Sequence, residues 1–354
     1  DFIGQIQQVM TRLGIPLPPP RESTVEWPAS EAQPSVAYLG SSSSITSITP
    51  SSGSAGTNTQ IIITGSNFGA VQGSGKVTFY YQEGQPRIEA PILSWSDTRI
   101  VVIVPVGIIN DYLATASSGP VMVSTSAGDS NPYPFGVAFS YEGARWPGAS
   151  PVVNYRVNAN ASDVLGEELA VQAAAQTWSN VSGADFSFVY DGPTAAIGFG
   201  LDGVNEVMWG DLGSNGPLAI AARWLRDSNN LVEFDVEFND RYAWSTTGAA
   251  GTVDIQTTAT HELGHALGLR DLYGDLGPPN DTEKLMYGRV FVSEIRRDLT
   301  VHDMAGIRWI YPDITTITLG AGGYGPGAIG VNPATNRIYV ANIKSNTVSV
   351  VDGA

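Results

Sequence analysis

The sequence predicts a multidomain fold: a β-sandwich, then a mixed α+β domain, then the start of another β-rich unit. Three observations carry that reading. At 354 residues the chain exceeds one typical domain. Short β-rich runs between turn residues fill positions 45–141, and from about Arg145 strands and helices are mixed. Beyond Ile314 the pattern changes again. A hydrophobic fraction of 42% with 15% charged residues suits folded, Gly/Ser/Thr-rich β structure rather than disorder.

Residues 1–44 read as an N-terminal helix and a linker. Phe2, Ile3, Ile6, Val9, Met10 and Leu13 have helical spacing, Pro16, Pro18, Pro19 and Pro20 make the next stretch stiff and extended, and Ser41 to Ser44 make a flexible joint. Within 45–141 the runs at 60–64, 76–81, 100–105 and 121–124 are expected strands, punctuated by Pro50, Gly53, Gly56, Gly65 and Gly69. Their spacing fits an antiparallel sandwich of about a hundred residues.

Residues 142–313 form the mixed domain. Strands are expected at 152–157, 186–190, 195–199 and 218–224, and a helix over 167–181 with Leu169, Ala173 and Trp178 inward. Val232, Phe234, Val236 and Phe238 alternate with Glu233, Asp235 and Glu237, which reads as a half-buried strand with a solvated acidic face. Asp235 and Glu237 also offer the oxygens that calcium takes, though alternation favours the solvated face. Further helices are expected over 254–267 and 300–310.

A net charge of −16 makes nucleic acid and anionic membranes poor partners, because the summed field repels phosphate. The absence of cysteine excludes disulfides, thiolate zinc sites and a cysteine nucleophile. No run of eighteen apolar residues is present, so no membrane span is expected. The chain opens with Asp1 and shows no signal peptide, and its natural N-terminus is expected to lie upstream.

The chemistry concentrates in His261-Glu262-Leu263-Gly264-His265. On a helix, residues four apart share a face, so His261 and His265 can bind one metal, with Glu262 beside it but not bound to it. Gly268 allows a sharp turn, after which Asp271 could return as a third ligand; the plainer alternative is a solvent-facing loop aspartate. Three ligands would leave one position open for water and substrate, as a catalytic zinc needs. His302, lacking a partner at such spacing, reads as a surface or packing residue.

Three resemblances add to this reading. Ile48-Thr49-Pro50-Ser51-Ser52-Gly53, Ile61-Ile62-Ile63-Thr64-Gly65-Ser66-Asn67-Phe68-Gly69 and Val102-Ile103-Val104-Pro105 resemble the IPT/TIG family of immunoglobulin-like domains. That implies a fold and a spacer or binding role, with the spacer preferred, but no chemistry. Positions 330–342 and 346–353 resemble one repeat of the YVTN-type β-propellers. A single blade cannot bury its faces, so the chain is expected to continue into a longer protein. The 142–313 segment resembles the matrixin-like metzincins through the histidine motif, Leu285-Met286-Tyr287-Gly288, positions 299–312 and the loop and edge strand at 205–222.

The matrixin resemblance implies a zinc endopeptidase in which His261 and His265 bind zinc, Glu262 is the general base and Met286 supports the site from below as the Met-turn. Substrate, a protein or peptide, would lie extended along Leu218, Ala219, Ile220 and Ala221, pairing as an added strand. The sequence departs from the family in three ways. Asp271 stands where matrixins have histidine, although a carboxylate is a sound zinc ligand. Ile220 stands where they commonly carry a ligand of a second, structural zinc, so that site is expected to be absent. Without cysteine there is no cysteine-switch latency. Tyr287 directly follows Met286 and is given no catalytic role. The expectation is an exported, bacterial-type protein, secreted or at the cell surface, with extracellular partners available through its IPT/TIG and propeller regions. The rival is a non-catalytic adhesion protein with a degenerate metalloprotease domain, against which Glu262, still in register, argues.

Overall fold

The computed structural model describes residues 42–110, 112–161, 164–227, 229–277, 279–313, 326–332, 337–342 and 347–352. The helix read at 2–13 and the proline-rich segment after it lie outside the described residues. The chain up to Asp313 and the segment after it are two separate units.

The sandwich is built from two sheets. One orders Ser44–Thr49, Gln60–Ser66, Arg99–Ile103 and Ile92–Trp95; the other orders Ser52–Ala55, Tyr133–Ser140, Gly119–Thr125, Lys76–Phe79 and Ile88–Glu89, with Gly128–Asp129 folded back on Gly119–Thr125. The two-residue period of a strand turns Ile61 and Ile63, Ile100 and Val102, Val77 and Phe79, and Val121 and Val123 to the inner faces, where all are buried. The strand Ser52–Ala55, reading Ser-Gly-Ser-Ala, carries no apolar alternation and is held by its pairing and by Ala55 in the core. A hairpin of Val106–Ile109 and Tyr112–Thr115 forms a separate two-stranded sheet.

The second domain has a five-stranded sheet ordered Ser187–Pro193, Val152–Val157, Glu206–Gly210, Asn230–Asn239 and Ala219–Asp227. The last strand is antiparallel to its neighbour and the other pairs are parallel. The helices Glu167–Ser179 and Ile255–Ala266 pack together, and Trp178, Trp209, Phe234, Phe238 and Ile255 belong to one core.

Three expectations are corrected. Leu169 is 68% exposed, and the buried stripe of its helix is Ala170, Val171, Ala174, Ala175 and Trp178, with Ala173 half-buried. Leu169 lies two residues, about 200° of rotation, from Val171, and an alanine-rich helix gives little sequence signal for its inward face. Residues 195–199 form no strand; the strand is Glu206–Gly210. The acidic face of Asn230–Asn239 is covered rather than solvated, since Glu233, Asp235 and Glu237 are at most 1% exposed. The loop before Glu206 folds over that face: Asp235 accepts from Gly200 N and Glu206 N at 3.0 Å each, and Glu233 accepts from Asp202 N at 3.0 Å. The carboxylates thus satisfy loop N–H groups that would otherwise be orphaned. Burial pushes the Asp235 carboxyl up to about 7.

The sandwich and the second domain interlock at their boundary. Phe139 and Tyr141, at the end of the sandwich, belong to the core of the second domain. Trp309 of the closing helix Val301–Ile310 packs on both, with ring centroids 6.3 and 5.2 Å away. In return Leu272, from the second domain, is buried in the core of the sandwich. The two share side chains and belong to one compact unit.

The separate C-terminal unit shows an antiparallel meander of Pro326–Asn332, Arg337–Asn342 and Thr347–Asp352. Ile329, Val331, Val348 and Val350 in it are exposed.

Candidate metal centre

The motif helix is defined at both ends. Asp254 caps its start, accepting from Thr257 N at 2.8 Å, and is paired with Arg297 at 2.5 Å. At its end Leu269 N donates to Gly264 O at 3.1 Å and Gly268 N to His265 O at 2.9 Å, the two bonds of a Schellman motif. Gly268 has φ +100°, and a Cβ there would lie 2.4 Å from Ala144 O. Only glycine makes this turn without strain, and the turn sends the chain back past the helix toward Asp271.

His261, His265 and Asp271 converge: each offers a ligand atom, and these atoms lie within 4.8 Å of one another. His261 Nε2 is 3.1 Å and His265 Nε2 3.4 Å from the same oxygen, Asp271 Oδ1. His261 Nδ1 lies 2.9 Å from Leu285 O, and His265 Nδ1 2.9 Å from Leu269 O. A carbonyl oxygen only accepts, so both Nδ1 atoms carry the proton, and in the neutral rings both Nε2 atoms present lone pairs toward Asp271. The buried Oδ1 has no hydrogen-bond partner. Acceptors at 3.1 and 3.4 Å repel unless a cation or a proton lies between them. Electrostatics says the same. Burial alone would raise Asp271 and lower His261, yet their contact and the charge of His265 hold Asp271 well below the usual carboxylate range, and Asp271 lifts His261 to about 9.

The donor set fits zinc. A tetrahedron with metal–ligand bonds of roughly 2.0–2.1 Å has edges of about 3.3 Å, close to the two separations here. Imidazole and carboxylate are also the donors found in three-ligand catalytic zinc sites. Among the described residues this is the one group of three such donors, and Asp235 and Glu237 do not belong to it.

The surrounding residues hold the trio in place. Gly264 faces Met286, whose Sδ would be 2.3 Å from an added Cβ. Trp178 lies beside them and donates from Nε1 to Thr260 O at 2.8 Å. Asp303 of the closing helix accepts from Leu285 N at 3.0 Å and Met286 N at 3.3 Å, fixing the segment whose carbonyl orients His261. Tyr273 OH donates to Asp271 Oδ2 at 3.1 Å. Burial, then the Asp271 charge, raises the Tyr273 phenol well above its ordinary range, so it keeps the proton it donates. The sequence reading missed Tyr273 and Asp303. Asp271-x-Tyr273 has no helical or strand periodicity to mark it, and Asp303 acts across eighteen positions.

Glu262 is buried beside His261, and burial raises its carboxyl above the ordinary carboxylate value despite the two histidines, which lower it. His261, His265, Asp271 and Glu262 open onto a cleft of about 710 Å³ that also runs past Leu218, Ala219, Ile220 and Ala221. Ala219–Asp227 is the last strand of its sheet, and Leu218 immediately precedes it. Asn239 N donates to Leu218 O at 2.8 Å, which sets Leu218 and Ile220 in bonded register with the neighbouring strand. Alternation then turns the N–H and C=O of Ala219 and Ala221 to the open edge. The far side of the cleft comes from the sandwich: Tyr81, Gln82, Gln85, Ile109, Asn110 and Tyr112.

Comparison with known proteins agrees with this arrangement. Residues 145–312 match the family model described as Matrixin, and residues 43–141 match the IPT/TIG domain. Over 145 residues the chain is 26% identical to Metalloendoproteinase 2-MMP of Arabidopsis thaliana, covering 38% of this chain and 34% of that protein. The chain thus spans about a third of the length of that relative. It carries a matrixin domain preceded by an IPT/TIG domain, with the histidine motif, Asp271 and Met286 all inside the matrixin match.

Proposed function

We propose that this chain is a zinc-dependent endopeptidase. The observation that carries the reading is the convergence of His261, His265 and Asp271 beside Glu262, on a cleft along an open strand edge. A zinc ion held by those three side chains would supply a Lewis acid for the scissile carbonyl and make a water acidic. Glu262 takes the proton of the attacking water and returns it to the leaving amine, a role served by its raised carboxyl. Leu218, Ala219, Ile220 and Ala221 hold the substrate extended as an added strand, the outward groups of Ala219 and Ala221 making the backbone hydrogen bonds. Residues on the other side of the scissile bond lie against the sandwich wall around Tyr112. Met286 keeps the motif helix at its height above the Met-turn.

The same reading places the protein outside the cytoplasm, secreted or at the cell surface, where an immunoglobulin-like domain beside a peptidase meets extracellular partners. The exposed apolar residues of the C-terminal meander suit one repeat of a YVTN-type propeller awaiting its neighbours.

The test uses the full chain loaded with zinc, with metal content and casein cleavage measured for wild type and Glu262→Gln. Both should bind zinc, and the variant should lose activity by about 10²–10⁴-fold, the scale of a general base. Zinc bound by a wild type that cleaves nothing would hand the chain to the non-catalytic adhesion reading. Equal activity in both would remove Glu262 from the chemistry.

A further inference from the structure

The matrixin match begins just past the end of the IPT/TIG match, yet the loop that carries Asp271 is also anchored in the sandwich. Leu272, directly after Asp271, is 1% exposed and sits among the sandwich core residues. Tyr273 N donates to Ser117 Oγ at 2.9 Å, and the Tyr273 ring meets the Tyr81 ring edge to face at 5.5 Å. Arg270 donates to Leu113 O at 3.1 Å. Farther along, buried Asp281 accepts from Ser118 N at 2.9 Å, from Ser118 Oγ at 2.6 Å and from Gly274 N at 2.8 Å. Lys284 pairs with Asp281 at 2.5 Å and donates to Val137 O in the sandwich. The loop between the third donor and the Met-turn is therefore tied both to its own domain, through Leu272 N to Met286 O at 2.9 Å and Asp281 N to Gly274 O at 2.7 Å, and to the preceding one.

From this geometry we propose that the IPT/TIG domain positions the third metal ligand: Ser117 and Tyr81 hold Tyr273, and Tyr273 holds Asp271. The proposal rests on Asp271 being a zinc ligand. Two histidines four apart on one helix are oriented by the helix itself, but a donor on a loop is only as well placed as whatever orients the loop. Here a backbone N–H, an aromatic edge contact and a phenol–carboxylate hydrogen bond form a continuous path from the sandwich to Asp271 Oδ2. Ser117 is a positioning residue away from the cleft, whereas Tyr81 also lines the cleft, so its positioning role is read from metal affinity and not from proteolysis.

Zinc affinity of the full-length protein, measured by competition with a chelating dye and independent of proteolysis, tests this. Ser117→Ala and Tyr81→Ala should each weaken zinc binding by about 10-fold, the lower end of outer-shell effects. Tyr81→Phe keeps the ring contact and should bind as wild type does. Cobalt substituted for zinc should show altered visible absorption in Tyr81→Ala, a change that simple loss of stability does not produce. Ser117→Ala removes one hydroxyl and remains informative should Tyr81→Ala fail to fold. Asp271→Ala is the control. Wild-type zinc affinity in Asp271→Ala would sink the ligand assignment itself. Weakened binding in Asp271→Ala with unchanged binding in Ser117→Ala and Tyr81→Ala would overturn the positioning role alone.

Discussion

Gly264→Ala tests how tightly the metal centre is mounted. In most helices this change is favourable by about 1 kcal/mol, because alanine loses less backbone entropy than glycine. Here the new methyl would lie 2.3 Å from Met286 Sδ, 3.0 Å from Trp178 Cζ2 and 3.1 Å from Met286 Cε. Neither neighbour can give way freely: Met286 is 2% exposed, and Trp178 is fully buried with its indole bonded to Thr260 O. Forcing one carbon into a filled core costs about 1–3 kcal/mol, so the net loss is about 0–2 kcal/mol. At roughly 2–4 °C per kcal/mol for a domain of this size, Tm falls by up to about 8 °C. Activity should suffer more than stability, since the helix that moves carries His261, Glu262 and His265. A displacement on the order of 1 Å costs roughly 100-fold in rate. The assay pairs thermal melts with casein kinetics for Gly264→Ala, Met286→Ala and the double variant. Met286→Ala makes room for the methyl, so in that background Gly264→Ala should be harmless or stabilising. Identical effects of Gly264→Ala in both backgrounds, or a single variant as stable and active as wild type, would refute the packing argument.

The remaining predictions concern the cap and the cleft wall. Burial alone would raise Asp254, but hydrogen bonds from Arg297 and Thr257 outweigh it and hold the carboxyl below its ordinary 3.8. A depressed carboxylate contributes stability above its unfolded pKa and loses it as pH falls through the folded value. Asp254→Ala should therefore cost about 1–2 kcal/mol at pH 7, the scale of a lost helix cap, and less near pH 3. A gap that widens in acid, read from urea melts at the two pH values, would contradict this. Tyr112→Ala trims the sandwich side of the cleft without touching the metal trio, so casein KM should rise severalfold while kcat and zinc content stay put. Loss of kcat at constant KM would mean that Tyr112 acts on the chemistry rather than on binding.

Much of the site was legible because its residues obey short-range rules. His261 and His265 share a face through helical periodicity, and Gly268 signals the turn through its lack of a side chain. Met286 was placed by resemblance. The fold was legible wherever β-branched apolar runs lie between turn residues, as in Gln60–Ser66 and Arg99–Ile103. It failed where burial arises from something else. Leu169 turned outward because alanines leave a helix's inner face unmarked. The acidic side of Asn230–Asn239 turned inward because a loop with unbonded N–H groups covers it. The part played by Tyr273 depends on contacts with Ser117 and Tyr81, more than 150 positions away in the chain.

The sequence by itself determined the donor types, their order, and the helix that sets two of them side by side, because helical periodicity acts within four or five residues. Only the tertiary structure decided that Asp271 faces both histidines and that the sandwich walls the cleft. Those outcomes depend on how a loop, two β-rich domains and a closing helix fill one another's spaces, and no local pattern encodes that packing.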